Sequence, residues 1–262
     1  MVNYHNHTAM CGHARGTLDE YILAAIENGM KEFGFSDHAP MPEHLRQGIS
    51  MGPGEIEDYI SAVLSMKEKY SGRIDVKLGL EVDYPLFDSF EKRYLVDPRI
   101  DYIIGSVHFI DDWAFDHPQF KYRFDERDID SVYLDYYRVL GSLALSAMCD
   151  VIGHFDLVKK FGHRPVSDMN GEVEKIARVI ARTGAVVEIN TSGLIKPVAE
   201  IYPSDDIIAI FFRNNVPVTL GSDSHSPDEV CGGYPLAIEK LKAAGYRKVS
   251  GFTARRRHEL DL

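Results

Sequence analysis

The sequence predicts an α/β fold built around a parallel β-sheet. Short β-rich runs alternate with helix-like stretches along all 262 residues, and seven such runs are separated by helical segments. Strands joined through helices form parallel sheets with right-handed crossovers. No composition break, low-complexity tract or repeat divides the chain, so we expect a single domain over residues 1–262. An open or distorted barrel fits this order better than a flat doubly wound sheet, a choice that periodicity alone leaves open.

Apolar periodicity places the elements in order along the chain. Strands are predicted at residues 2–8, 32–38, 76–84, 102–109, 150–156, 185–190 and 216–223. Helices are predicted at residues 18–30, 55–70, 132–147, 173–183, 205–214 and 236–244, the last closing the series. Gly184 and Gly245 stand where two of these helices end. Residues 110–130 are the least regular, and we expect them to form a loop over one mouth of the fold.

The composition argues against several classes of partner. A net charge of −11 disfavours nucleic acid, because proteins that bind polyanions carry a basic surface. The N-terminal segment lacks the apolar core of a signal peptide, and the most apolar stretch, 207–212, is too short to span a bilayer. Three cysteines without paired spacing indicate a reducing compartment. We therefore expect a cytoplasmic protein with neither nucleic acid nor membrane as a partner.

Most of the histidines fall where parallel α/β proteins place their sites, at the C-terminal edge of the sheet. Of eleven histidines, seven lie at or just beyond the end of a predicted strand: His5, His7, His13, His38, His108, His154 and His225. Two carboxylates, Glu81 and Asp223, end strands in the same layer. The other histidines, His44, His117, His163 and His258, are expected in structural or surface positions.

These nine side chains predict a metal centre. Imidazole and carboxylate ligands suit zinc, manganese or iron, and no thiolate is required. Nine ligands exceed the needs of one ion, so we expect two to three divalent transition-metal ions that share a carboxylate. Metals a few Å apart polarise a phosphoryl group and generate a hydroxide nucleophile. The pattern therefore predicts a metal-dependent hydrolase, with a phosphate monoester as the favoured substrate class.

Several segments carry a resemblance to a known family. They are YHNHTAMCGHARG, FGFSDHAPMP, LGLEVDY, IIGSVHFIDDW, VIGHFDLVKKFGHR, VEINTSGLIKP and VTLGSDSHSP, in order from residue 4 to about 235. They resemble the polymerase and histidinol phosphatase (PHP) family, in its histidinol-phosphatase branch. The resemblance implies a distorted (βα)7, TIM-like barrel with three metals at the C-terminal ends of the strands. It assigns His5, His7, Glu81 and Asp223 to one ion, Glu81, His108 and His154 to a second, and His13, His38 and His225 to a third.

The reaction that the resemblance implies is hydrolysis of L-histidinol phosphate, a step of histidine biosynthesis, so the expected partner is a small phosphorylated metabolite. Asp223 or His225 would protonate the leaving alkoxide. Basic residues near the strand ends would grip phosphate, namely Lys160, Lys196 and Arg15, with Lys159 as a further candidate. Asp37 and Asp83 would either support the ligands or receive the substrate's amine. The family pattern NTSGLRKP reads NTSGLIKP here, so Ile195 stands where the family has arginine.

Three other hypotheses about the function stay open. A PHP enzyme with the same metals would also hydrolyse another phosphate ester. A degenerate PHP module would only bind or scaffold, although all nine ligand positions are filled here. An amidohydrolase-like enzyme would show a lysine ligand on a middle strand, and none is evident in the sequence. The sequence leaves the oligomeric state open.

Overall fold

A computed structural model gives the structure of the protein at residues 1–46, 48–86 and 90–262. The β-strands are β1 (Val2–Asn3), β2 (Glu32–Phe35), β3 (Asp75–Asp83), β4 (Tyr102–Ser106), β5 (Phe109–Ile110), β6 (Trp113–Ala114), β7 (Val151–Ile152), β8 (Val186–Asn190), β9 (Val218–Gly221), β10 (Lys248–Thr253) and β11 (Arg256–Asp261). The α-helices are α1 (Leu18–Glu27), α2 (Glu43–Arg46), α3 (Ile56–Lys69), α4 (Ile129–Ser146), α5 (Asn170–Thr183), α6 (Asp205–Arg213) and α7 (Tyr234–Ala244).

Seven strands form one parallel sheet in the order β1-β2-β3-β4-β7-β8-β9. The two edges of this sheet meet, because the Tyr4 N–H donates to the carbonyl of Leu220 at 3.0 Å. Just beyond the ends of β1 and β9, the Asp223 N–H donates to the carbonyl of His5 at 2.8 Å. The sheet therefore closes into a barrel, and the short strands β1 and β7 make that barrel irregular. The predicted parallel α/β fold and the distorted barrel are confirmed.

Tyr102 fills the interior of the barrel beneath the mouth. Its hydroxyl lies within hydrogen-bond distance of the carbonyls of Tyr4, at 2.5 Å, and Phe35, at 3.1 Å, and so connects β4 with the ends of β1 and β2 across the barrel. A Cβ at Gly34 would lie 2.2 Å from the Tyr102 hydroxyl, and one at Gly79 would lie 2.3 Å from the ring, so both positions must be glycine for this side chain to fit. The barrel is thus packed with side chains rather than open along its axis.

The helices pack one apolar face on the outside of the barrel, as their periodicity predicts. In α5 the buried residues Val173, Ile176, Ala177 and Ile180 repeat at three- and four-residue spacing. Gly184 ends this helix in the left-handed region, with φ of 81°. Among the described residues, no helix combines the length and apolar character that crossing a bilayer requires.

Several strands are shorter than predicted at the ends that carry the histidines. β1 ends at Asn3 and β7 at Ile152, whereas the predicted strands extend to residues 8 and 156. Beyond these points, His5, His7 and His154 turn their side chains into the mouth. Asp223, predicted as the last residue of a strand, lies outside β9 with φ of 52°.

Residues 110–130 were expected to be irregular, and that prediction was wrong in part. The hairpin β5–β6 and a 3-10 helix at Pro118–Phe124 occupy much of this segment. The ring of Trp113 packs edge-on against Phe124 at 4.7 Å, and its indole N–H donates to the carbonyl of Phe120 at 3.1 Å. Aromatic contacts at irregular spacing hold the segment together, which is why no periodicity revealed it.

The predicted series ended at the last helix, but the hairpin β10–β11 follows it. The residues of β11 are mostly exposed and charged, so they show no apolar alternation, and their pairing with β10 gives them their conformation. The hairpin packs across the N-terminal end of the barrel. There the Phe252 N–H donates to the Tyr4 hydroxyl at 2.9 Å, and His258 Nε2 lies 2.7 Å from Glu32 Oε1.

Candidate metal centre

The strand ends deliver the predicted ligands to one mouth of the barrel, around the carboxylate of Glu81. Glu81 lies on β3 near the middle of the sheet, and its side chain is buried. Five imidazole nitrogens approach its two oxygens, from His38 at 2.9 Å, His154 at 3.1 Å, His5 at 3.4 Å, His7 at 3.6 Å and His108 at 3.8 Å. One carboxylate thus faces histidines from both halves of the barrel, which is the arrangement expected of a bridging ligand.

Asp223 faces the same group from the opposite side. Its Oδ1 lies 3.2 Å from His7 Nε2 and 3.6 Å from His5 Nε2. The left-handed backbone at Asp223 is uncommon for a residue other than glycine, although aspartate adopts it more readily than most residues, and such conformations concentrate at functional sites. The four side chains of Asp223, Glu81, His5 and His7 therefore surround one common point.

A third group of histidines extends from this point toward the rim. The ring of His225 lies 4.3 Å from that of His7 and 4.6 Å from that of His13. His38 lies 5.8 Å from His13, between this group and Glu81. The structure therefore brings all nine predicted ligands together, and His38 contacts two of the three groups that the family resemblance separates.

The residues present fit divalent metal ions. His5 Nε2, both ring nitrogens of His7, His38 Nδ1 and Glu81 Oε2 are buried and have no hydrogen-bond partner. Buried polar atoms are rarely left unpaired in native proteins, and a bound cation would give these atoms the partner they lack. Two atoms bound to the same ion at about 2.0–2.2 Å lie roughly 3–3.5 Å apart. The nitrogen–oxygen separations around Glu81 and Asp223 range from 2.9 to 3.8 Å and so are close to that value.

The electrostatics of the mouth follow from the same packing. Burial disfavours a charged imidazole, but the nearby Asp223 and Asp37 outweigh it and raise the pKa of His7 to about 9. Burial likewise opposes charge on His108, yet Asp83 raises its pKa to about 10. In His225, burial and the neighbouring His7 lower the pKa to about 2. Burial favours a neutral Asp223, but the adjacent histidines lower its pKa well below the usual value.

Asp37 and Asp83 support the ligands rather than stand free for a substrate amine. Asp83 Oδ1 lies 2.7 Å from His108 Nδ1, which orients that ring. Asp37 Oδ1 lies 3.6 Å from His7 Nδ1 and accepts the Thr8 N–H at 2.6 Å. Both carboxylates are buried. These contacts favour the supporting role over binding of the substrate's amine, and that role stays a prediction.

Glu188 is a functional residue that sequence reasoning missed. It lies on β8, is buried, and its Oε1 lies 2.8 Å from His5 Nδ1. Its Oε2 accepts the His154 N–H at 2.8 Å. The signal was present in the sequence, because an acidic residue in the apolar strand VVEIN is rarely buried without a partner. Gly221 makes room for it, since a Cβ there would lie 1.9 Å from Glu188 Oε1.

The predicted phosphate-binding residues occupy three different environments. Lys160 follows the loop of His154, and its ammonium lies 3.0 Å from the carboxylate of Asp116. Lys196 ends the 3-10 helix Ser192–Ile195. The Ser192 hydroxyl of that helix donates to Asp223 Oδ2 at 3.2 Å, so this segment borders the centre.

Arg15 and Lys159 are directed elsewhere. The backbone N–H of Arg15 donates to the carbonyl of His225 at 2.8 Å, but its exposed guanidinium pairs with Asp228 at 3.3 Å. Lys159 is buried, 2.8 Å from Asp156 Oδ2, and donates to the carbonyl of Ile201 at 2.8 Å. Lys159 is the further candidate for binding phosphate, and that prediction is wrong because its ammonium already pairs with Asp156 and the Ile201 carbonyl inside the protein.

The remaining histidines have structural contacts, as expected. The imidazole of His117 accepts the N–H of Gln119 and caps the 3-10 helix Pro118–Phe124. His163 stacks on Phe124 at 4.4 Å. His258 pairs with Glu32 at the opposite end of the barrel, and His44 lies in α2.

Comparison with known proteins agrees with this geometry. The family model described as the PHP domain matches residues 3–192, more than half of the chain. This chain belongs to the PHP family. Its matched segment contains His5, His7, Glu81 and the other predicted ligands up to His154.

Individual members of the PHP family resemble the chain over nearly its full length. A probable histidinol-phosphatase of Deinococcus radiodurans is 38% identical over 250 residues, which cover 94% of each protein. The histidinol-phosphatase of Bacillus subtilis is 29% identical over 264 residues, covering 90% of this chain and 97% of that enzyme. The crystal structure of histidinol phosphate phosphatase from Lactococcus lactis, complexed with Zn, L-histidinol and phosphate, matches with a TM-score of 0.80 at 20% identity and covers 98% of both chains.

Proposed function

We propose that this PHP protein is a metal-dependent phosphomonoesterase that hydrolyses L-histidinol phosphate to L-histidinol and phosphate. The observation that carries the proposal is the convergence of seven histidines and two carboxylates on the mouth of the barrel. Full-length similarity to the histidinol-phosphatases of Deinococcus and Bacillus supports the choice of substrate. We place the reaction in histidine biosynthesis and in the cytoplasm.

We propose that the mouth holds two to three divalent transition-metal ions. His5, His7, Glu81 and Asp223 would hold one ion, Glu81, His108 and His154 a second, and His13, His38 and His225 a third. Zinc is the first choice because the Lactococcus enzyme is described with it, while manganese and iron suit the same donor set. Elemental analysis after reconstitution should give at least two ions per chain, and fewer than one would refute the proposal.

When bound, such ions polarise the phosphoryl group and lower the pKa of water. The protein's own residues fix the ligand positions through Glu188 and Asp83, and they exclude solvent from the buried side of the centre. Lys160 and Lys196 would bind phosphate oxygens, and the backbone of Arg15 places its side chain at the rim. Lys196→Ala should raise KM more than it lowers kcat, because a phosphate contact acts in the ground state and the transition state alike.

Asp223 and His225 are our two alternatives for the group that protonates the leaving alkoxide. A general acid matters more for a poor leaving group than for a good one. Loss of the acid should therefore slow histidinol phosphate far more than p-nitrophenyl phosphate, whereas loss of a metal slows both. Comparing Asp223→Asn and His225→Gln on these two esters assigns the role to whichever variant shows the selective loss.

The experiment that tests the function is phosphate release from a panel of esters. We expect kcat/KM for L-histidinol phosphate to exceed that for sugar phosphates, nucleotides and a bis-ester. A faster reaction with one of the other esters would make the protein a PHP phosphoesterase of different specificity. Failure to hydrolyse any ester with metals bound would instead favour a PHP module that only binds.

We also propose that residues 1–262 form one domain. The family model ends at residue 192, but β9 lies beyond it and supplies the strand that closes the barrel against β1. A small phosphorylated metabolite is the partner that fits this mouth, and the net charge of −11 disfavours a nucleic acid.

A further inference from the structure

An ion pair lies at the mouth of the barrel beside the candidate metal centre. Lys160 Nζ lies 3.0 Å from Asp116 Oδ2. Asp116 follows the hairpin β5–β6, which begins directly after His108, and Lys160 follows the loop of His154. The strands that precede these two loops, β4 and β7, are paired neighbours in the barrel. The pair is therefore built by the same two strand ends that carry two of the ligands.

This pair is electrostatically coupled to the centre. Burial favours a neutral Asp116, but Lys160 and His108 together lower the pKa of its carboxyl group. The rings of His108 and His154 lie 4.9 Å apart below it. A ligand that reaches these histidines from solvent therefore comes within the field of both Lys160 and Asp116.

Asp116 differs in exposure from Asp37 and Asp83. Asp37 and Asp83 are buried and hold His7 and His108. The Asp116 side chain keeps 21% of its surface exposed, and the Lys160 side chain keeps 19%. Asp116 is thus a carboxylate that an incoming cation can reach, and the flexible lysine opposite it can move.

The substrate of the proposed function has matching charges. L-histidinol phosphate carries a phosphate group and, on the carbon next to the ester methylene, a primary ammonium group. We infer that Asp116 binds the substrate's ammonium group while Lys160 turns from Asp116 to the phosphate. This inference rests on the proposed function and extends it, because it makes the enzyme selective for phosphate esters of amino alcohols. The ion pair of the free enzyme holds each group in place until the substrate's opposite charges replace it.

The expected effect follows from the strength of a hydrogen bond between charged groups. Such a bond contributes about 1.5–3 kcal/mol, or roughly ten- to a hundredfold in kcat/KM. The parent enzyme should prefer L-histidinol phosphate to its deaminated analogue, 3-(imidazol-4-yl)propyl phosphate, by a factor in this range. Asp116→Asn keeps the shape of the side chain but loses its charge, so the preference should fall to within about threefold.

The same variant should improve the binding of a ligand that has only the phosphate group. Once Asp116 no longer competes for Lys160, the inhibition constant of inorganic phosphate should fall several-fold, whereas Lys160→Met should raise it. Asp112→Asn is the matched control. It lies in the turn of the same hairpin, with 85% of its side chain exposed and paired to Arg123, and should change neither quantity.

Each outcome decides the inference. An equal loss on both esters in Asp116→Asn would mean that the residue only supports the hairpin, and the inference would be overturned. A preference that survives the substitution would also overturn it, as would a parent enzyme that hydrolyses both esters equally well while remaining a phosphatase. If the parent fails to hydrolyse L-histidinol phosphate at all, the proposed function falls and this inference falls with it.

Discussion

Replacing Glu188 with glutamine is expected to weaken metal binding without a change in the fold. The carboxylate holds three groups at once. His5 Nδ1 lies 2.8 Å from one oxygen, and the other oxygen accepts the His154 N–H at 2.8 Å and the Asn190 side-chain amide at 3.0 Å. When His5 binds an ion through Nε2, its Nδ1 carries the proton and must donate. Glutamine has a single oxygen, so it can accept on one side only and turns its own NH2 group toward at least one of these donors.

The size of the effect follows from this count of donors. A buried donor that loses its acceptor costs about 1–3 kcal/mol. If the whole cost falls on the metal-bound state, the affinity for zinc decreases roughly 5- to 150-fold. Replacement of groups that orient metal-binding histidines costs about 10- to 100-fold in other sites, which lies within the same range. Glutamine has nearly the volume of glutamate, so we expect the protein to fold.

Competition with a chromophoric zinc chelator measures the affinity directly, and kcat/KM for the ester measures the consequence for turnover. Glu174→Gln is the matched control, since that carboxylate pairs with Arg213 on the helix surface at 2.8 Å. It should leave zinc affinity unchanged. If Glu188→Gln binds zinc within twofold of the parent, the proposed role of Glu188 in holding His5 and His154 is wrong.

Three further predictions concern protons, packing and phosphate. The pKa of His7 is raised to about 9 in the metal-free protein, so this ring is protonated at pH 7 and must lose its proton to bind an ion. Zinc affinity should therefore increase from pH 6 toward pH 9, and calorimetry in buffers of different ionisation enthalpy should detect proton release at pH 7. Gly221→Ala would place a Cβ 1.9 Å from Glu188, so it should lower the melting temperature by several degrees while Gly171→Ala, which has open space, does not. Ile195→Arg at a position that is 68% exposed should lower KM about tenfold by supplying a further charged contact to phosphate, and an unchanged KM would place that segment outside the substrate site.

Much of the fold could be read from local patterns. Alternating strands and amphipathic helices repeat along the chain, and each is specified by residues a few positions apart. The ends of β3, β8 and α5 accordingly lie within three residues of their predicted bounds. β11 and the segment around Trp113 could not be predicted in this way. Their exposed charged residues and scattered aromatic residues show no period, and they form regular structure only by pairing with β10 and by packing on one another.

The location of the candidate site could also be predicted from residues close together in the sequence. Parallel strands all end at one edge of a barrel, so histidines at the ends of several strands predict a cluster without knowledge of any contact. The structure confirms that His5, His38, His154 and the other proposed ligands meet around Glu81. The binding of metal by these residues remains a prediction for the elemental analysis.

By itself, then, the sequence determined the parallel α/β class, the sheet edge that carries the site and the nine side chains that meet there. Only the tertiary structure decided what each neighbouring charge does, because those roles depend on contacts between distant parts of the chain. Glu188 holds a histidine 183 positions away. Lys159 forms a buried ion pair with Asp156, whereas the adjacent Lys160 pairs at the mouth with Asp116, 44 positions away. The position of a residue in a helix or strand determines which face its side chain occupies. Only the packing of distant segments determines which charged group lies opposite that side chain.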